Sequence, residues 1–167
     1  MLNYHIVIMK KQWHLLEKIL SGQKTVESRW YNSRRCPYFI NQPRIKPGDI
    51  LLFKNSGEPI IVKAMVSKVE EYDLQKLGLN TQQFIEKHLQ HIRDDLGINI
   101  LNYNKLPKAV KNYITNKRYA IFIWFTNVKK LKNPIYFNKS GYGMQNAWIC
   151  IKQDDLYKLG TKLYRNI

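Results

Sequence analysis

The chain has 167 residues, 44% of them hydrophobic and 13% aromatic, which fits one folded domain and excludes a disordered or low-complexity protein. Its 28 Lys and Arg against 12 Asp and Glu give a formal net charge of +16, so a polyanion is the first partner to test. From the N-terminus, His5 to Met9 is a β-branched apolar run that reads as a buried strand. Trp13, Leu16, Ile19 and Leu20 recur on one face of a helix that Gly22 ends. Thr25 to Tyr31 alternates as a strand, with Glu27, Arg29 and Tyr31 on one side and Val26, Ser28 and Trp30 on the other. Asn32 to Pro47 carries three prolines and reads as a loop. The Lys46-Pro47-Gly48-Asp49 turn then launches strands at Ile50–Lys54 and Ile60–Val69, joined as a hairpin through Asn55-Ser56-Gly57. A helix is predicted over Thr81–Leu96, capped by Thr81, and a shorter one over Pro107–Ile114. Strands follow at Tyr119–Val128 and Ala147–Ile151, with an irregular connection from Pro134 to Gly143. The expected fold is α+β, a small and mostly antiparallel β-barrel with flanking helices. One domain spans residues 1–167, with a helical insertion at about 79–116.

Placement of the charges says more than their sum. Ser28 to Gly48 and Leu96 to Gln153 contain no carboxylate side chain and hold fifteen basic residues, among them Arg29, Arg34, Arg35, Arg44, Lys129, Lys130 and Lys132. If the fold joins these windows, one surface attracts anions strongly. Cys36 and Cys150 are far apart and form no metal-ligand or redox pair, as expected of reduced thiols in a cytoplasmic protein. Neither a secretory leader nor a run of ~18 apolar residues is evident. P-loop, HExxH and GxSxG signatures are missing, and no metal or cofactor is expected. His88 and His91 lie near Glu86, Asp94 and Asp95, and His14 near Glu17. Both groups read as solvated helix faces.

The stretch Gly22-Gln-Lys24-Thr-Val-Glu27-Ser-Arg29 reads G-x-K-x-x-E-x-R between a helix and a strand. Glycine allows the sharp exit, and Glu27 and Arg29 share a strand face where they can pair or grip a polar ligand. In this motif, in the preceding LLEKILSG and in the following KPGDILLF and IVKAMVSKVEEY segments, the sequence resembles the ASCH domain of the PUA-like superfamily over roughly Tyr4 to Asp73. The late Ala147-Trp148-Ile149 segment resembles a PUA-like closing strand. The resemblance implies a barrel with a cleft lined by Gly22, Lys24, Glu27 and Arg29, in a family linked to RNA and modified nucleosides. Some members are N4-acetylcytidine amidohydrolases with a lysine, a threonine nucleophile and a distal glutamate. Lys24 matches the lysine, Glu27 stands where those enzymes have threonine, and Glu70 or Glu71 could stand for the distal acid. A carboxylate does not do the work of that hydroxyl.

Two functions follow as expectations. In the first, the protein binds single-stranded or structured RNA, or another single-stranded nucleic acid. Gly22, Lys24, Glu27, Arg29, Tyr31, Arg34, Arg35 and Tyr142 would contact the ligand, and Lys129, Lys130 and Lys132 the phosphates. In the alternative it is a hydrolase on RNA or a modified nucleoside, with Lys24 and Glu27 catalytic.

Overall fold

A computed structural model describes residues 2–32, 44–142, 147–151 and 159. Six strands form one sheet in the order β2-β5-β4-β3-β1-β6. They are β1 (Tyr4–Met9), β2 (Val26–Tyr31), β3 (Ile50–Asn55), β4 (Ile60–Asp73), β5 (Tyr119–Ile135) and β6 (Trp148–Ile151). Only β1 and β3 run parallel; every other neighbouring pair is antiparallel. The helices are α1 (Leu15–Leu20), α2 (Thr81–Lys87), α3 (Leu89–Leu96) and α4 (Lys108–Ile114). The sheet curls so that its two edges meet through side chains. The Arg29 guanidinium of β2 lies 5.4 Å from the Trp148 ring of β6. This is the expected α+β architecture with a mostly antiparallel curled sheet, a six-stranded half-barrel where a small barrel was expected, and α2 to α4 lie between β4 and β5.

Strand alternation sorts the apolar residues into three cores. The concave face gathers Val7, Leu51, Phe53, Val62, Ile121 and Phe125, and α1 plugs it with Leu15, Leu16 and Ile19. Val26, Trp30 and Phe122 point the other way and pack under α2 to α4. Ile6, Leu52 and Ile149 form a third cluster on the outer face beneath the far arm of β5, which supplies Leu131 and Ile135.

Several boundaries differ from the sequence reading. His14 takes a left-handed conformation (φ 51°), so the first helix starts at Leu15 and its buried face turns to Leu15, Leu16 and Ile19. Leu20 is left exposed. The predicted Thr81–Leu96 helix is two helices, broken at His88 (φ −115°, ψ 33°). Its cap is Asn80, whose side chain accepts from Gln83 N while Gln83 reaches back to Asn80 N. Thr81 is buried one residue inside. β4 and β5 outrun their expected ends because each pairs with the other along its length, through three register shifts, and Pro134 falls inside β5. Among the described residues, no helix is long and apolar enough to cross a membrane.

Candidate functional site

Gly22 adopts φ 77° at the end of α1 and turns the chain into β2. It is exposed and acts on the backbone path, where a Cβ would be strained. The turn drops Lys24 inward, to 1% exposure. A buried ammonium needs partners, and Lys24 donates to Val26 O (2.6 Å), Asp95 O (2.5 Å) and Asp95 Oδ1 (2.6 Å). Burial opposes its charge, but Asp95 and Glu27 outweigh that and hold its pKa above the usual lysine value. The residue stays an ammonium with its three N–H bonds committed.

Asp95 is the partner that the sequence reading placed on a solvated helix face. It sits in the last turn of α3, where Gly97 (φ 58°) lets the chain turn back, and a Cβ there would come within 3.2 Å of Gln23 O. The C-terminal carbonyls of α3 are thereby met by donors from the motif segment. Thr25 N binds Asp94 O at 3.1 Å, Lys24 Nζ takes Asp95 O, and Lys18 Nζ takes Leu96 O at 2.8 Å. Two ammoniums at the negative end of a helix also suit its dipole. The Asp95 carboxylate accepts from Ser28 N (2.9 Å) and Ser28 Oγ (2.7 Å), and Trp30 Nε1 donates to Ser28 Oγ (3.0 Å). Lys24 on Val26 O and Asp95 on Ser28 N thus cover the open edge of β2, which among the described residues has a neighbour only in β5.

On the other face of β2, Glu27 Oε1 pairs with Arg29 Nη2 at 2.7 Å. Glu27 Oε2 lies 3.0 Å from Lys24 Nζ, yet it is buried and accepts no hydrogen bond, because the Lys24 N–H bonds point elsewhere. Arg29 stacks on Trp148, whose Nε1–H donates to His5 Nδ1 (3.2 Å); His5 Nε2 in turn faces Asp49 Oδ2 at 3.2 Å. Indole nitrogen only donates, so His5 carries its proton on Nε2. Burial holds its pKa below the ordinary histidine value, in keeping with a neutral ring.

These residues line a cavity of about 160 Å³ along the β2 edge. Lys24, Glu27, Ser28, Arg29 and Asp95 form its polar side, and Trp13, Ile92, Val110 and Tyr113 its apolar walls. Small-molecule sites commonly run ~300–1,000 Å³, and an apolar hole of ~150 Å³ accepts benzene, so this one suits a single planar ring system. A ring with an N–H donor would complement Glu27 Oε2.

The remaining expected residues lie elsewhere. Tyr31 packs at the margin of the concave core, and the Tyr142 ring lies tilted against Phe137, 5.5 Å between centroids, in the outer-face cluster, away from the cavity. Arg34 and Arg35 lie outside the described residues. Lys129, Lys130 and Lys132 occupy the arm of β5 beyond Trp124, where β2 pairing stops, and Lys129 and Lys130 face Lys63 and Val62 of β4. Glu70 is held by Lys68 (2.5 Å), Tyr72 OH (2.6 Å) and His91 (3.0 Å), so His91 belongs to a half-buried side-chain network rather than to a freely solvated face. Glu71 borders a separate concavity of about 290 Å³ with Arg44, Asp73 and Tyr119. Neither acid reaches the β2 cavity. Among the described residues no group of three or more His, Cys, Asp and Glu is arranged to hold a metal. Sequence reasoning missed Asp95, Ser28, Trp13 and Tyr113; the only signal for Asp95 was its place just before Gly97 in the turn ending a helix.

No family model matches the sequence, and no curated protein does. Solved structures do match. The ASCH structure from Zymomonas mobilis aligns with a TM-score of 0.59 at 13% identity, over 95% of this chain and 94% of that one. This chain has the ASCH fold. The N-terminal domain of McrB from Staphylothermus marinus also aligns, with a TM-score of 0.50 at 15% identity, over 95% and 93% of the two chains. Identities this low carry the architecture and leave the chemistry of the ASCH cavity to its own residues.

Proposed function

We propose that the protein is a nucleic-acid-binding module that receives one unstacked base of single-stranded RNA in the β2-edge cavity. The observation that carries this reading is Glu27: a buried carboxylate oxygen without a hydrogen bond, beside Arg29, at the polar side of a cavity sized for one ring. Trp13 and Tyr113 supply the flat apolar walls that a base prefers. The net charge of +16 supplies attraction for the phosphates, with Arg34, Arg35, Lys129, Lys130 and Lys132 as proposed contacts. The ASCH fold and the sequence resemblance to RNA-linked proteins agree with it. Lys24 serves by holding the site together, and Gly22 by turning the chain into it.

The test is fluorescence anisotropy with a short single-stranded RNA across a salt series. Wild type should bind at low salt and weaken steadily as salt rises, and Trp13→Ala should bind several-fold more weakly. Absence of binding at low salt, or affinity independent of both salt and Trp13, would refute the proposal.

One observation favours a second reading. Ser28 Oγ borders the cavity and donates to Asp95 Oδ2 at 2.7 Å, a hydroxyl paired with a carboxylate as a nucleophile is paired with its base. An acylated nucleoside could pass its acyl group to that oxygen as its C–N bond breaks, the hydroxyl proton moving through Asp95 to the leaving amine, and water would then release the acyl group from Ser28 as the free acid. Incubation with acylated nucleosides decides it: turnover that Ser28→Ala abolishes supports a hydrolase, and no turnover leaves the binder.

A further inference from the structure

The charged side chains that line the β2-edge cavity are not alike. Lys24 pairs with Asp95 and Glu27, and Arg29 pairs with Glu27, so two cations and two carboxylates balance in its interior. Lys10 lines the same cavity but is exposed, which places it at the mouth. Among the described residues its side chain has no hydrogen bond and no ion pair; its ammonium rests 5.0 Å from the centroid of the Trp13 ring. The cavity therefore carries one unbalanced positive charge, at its lip.

The local backbone builds this arrangement. Ser56 N donates to Met9 O at 3.0 Å, which ties the end of β1 to the turn between β3 and β4. Trp13 N then donates to Lys10 O and His14 N to Lys11 O, both at 3.1 Å, so residues 11–13 make a single 3-10 turn, a geometry in which side chains three apart stand over one another. Lys11 is engaged by Glu58 (2.5 Å), and Lys10 is left as the uncommitted ammonium of the turn. An exposed cation–π contact is weak, so Lys10 gives up little in turning to a phosphate oxygen, with which an ammonium makes a charge-assisted hydrogen bond. Deeper in the same cavity are the Trp13 wall and Glu27 Oε2, which accepts no hydrogen bond. A ligand that suits all three has an anionic end, a flat ring and an N–H donor.

We infer that the β2-edge cavity takes a nucleotide in preference to a nucleoside, with Lys10 holding the phosphate at the mouth. This rests on the base-receiving reading and adds to it the phosphate contact nearest the base, which Lys129, Lys130 and Lys132 do not supply, since none of them lines the cavity.

The test is a set of titrations at one low ionic strength, followed by protein NMR, with the four ribonucleosides, their 5′- and 3′-monophosphates, and ribose 5-phosphate. For at least one base, wild type and Lys10→Arg should bind a monophosphate about fivefold more tightly than the nucleoside. Lys10→Gln should bind the two alike, at the nucleoside affinity of wild type. Lys76→Gln, which removes the same charge from an exposed lysine outside this cavity, should keep the preference. For single-stranded RNA, Lys10→Gln should lessen the slope of log K against log salt by ~0.7. A nucleoside that binds as tightly as its monophosphates, or a preference that survives Lys10→Gln, overturns the Lys10 assignment and leaves the base-receiving cavity standing. Ribose 5-phosphate that binds as tightly as the nucleotides, and needs Lys10 to do so, keeps the phosphate contact and ends the base reading. A wild type that binds none of these ligands overturns both.

Discussion

Lys24 organises the site more than it could act within it. Its ammonium joins β2 to the end of α3, and removing it strands the carboxylates of Asp95 and Glu27 in a nearly dry place. Breaking a buried pair on one side costs about 3–5 kcal/mol, so Lys24→Met should lower unfolding free energy by about that amount in a denaturant titration. A loss under about 1 kcal/mol would mean that the ammonium is dispensable. Glu70 gives a second residue-level expectation. Burial alone would raise its pKa, but hydrogen bonds from Lys68, Tyr72 and His91 lower it from 4.5 to about 2. The folded value lies below the unfolded one, so the Glu70 contribution is complete above pH 4.5 and is lost as pH falls toward 2. Stability measured from pH 5 to pH 2 should therefore fall less steeply in Glu70→Gln than in wild type; parallel curves would rule that contribution out. The pairing of Glu27 with Arg29 was legible in the sequence, because period-two alternation puts residues two apart on one strand face. Asp95 was not legible. It lies 71 residues from Lys24, and only the fold sets the distance between them.

At the scale of elements, the helices between β4 and β5 are the part of the fold that makes the cavity. α3 gives Ile92 and Asp95, and α4 gives Val110 and Tyr113, so the β2 edge without them would be an open strand. Docking depends on the close approach at Gly97, where an L-residue must adopt φ 58° and place Cβ 3.1 Å from Lys18 Cδ. Holding a residue with a Cβ in that conformation costs ~1–2 kcal/mol. Gly97→Ala should destabilise by at least about 1 kcal/mol and speed hydrogen exchange of the Thr25 amide, which binds Asp94 O. Unchanged Thr25 exchange would show that the helix end does not hold the motif segment. Strand runs were readable from β-branched composition and helix ends from glycine. The break at His88 was not, because Phe84, Ile85, Leu89 and Ile92 keep an apolar spacing that fits one continuous helix. The long arm of β5 was also hidden, since Lys129 to Pro134 look like a surface loop until β4 is there to pair with them.

Across the whole molecule, the two acid-free windows meet where β2 pairs with β5, which puts Arg29 next to Ile121. The basic arm of β5 carries the charge onward to Lys63 of β4. On the proposed function, field and cavity divide the work of binding: distributed lysines would attract the backbone of a nucleic acid, and Glu27 with Trp13 and Tyr113 would receive one base. Attraction by charge alone would not distinguish a strand with bases from one without. The most direct measurement is the affinity, at one low salt concentration, for a single-stranded RNA and for the same length of strand with its bases removed. Since stacking one base on aromatic side chains contributes ~1–3 kcal/mol, the intact strand should bind about tenfold more tightly, and Trp13→Ala should shrink that ratio. Equal affinities for the two strands would contradict a base-receiving cavity.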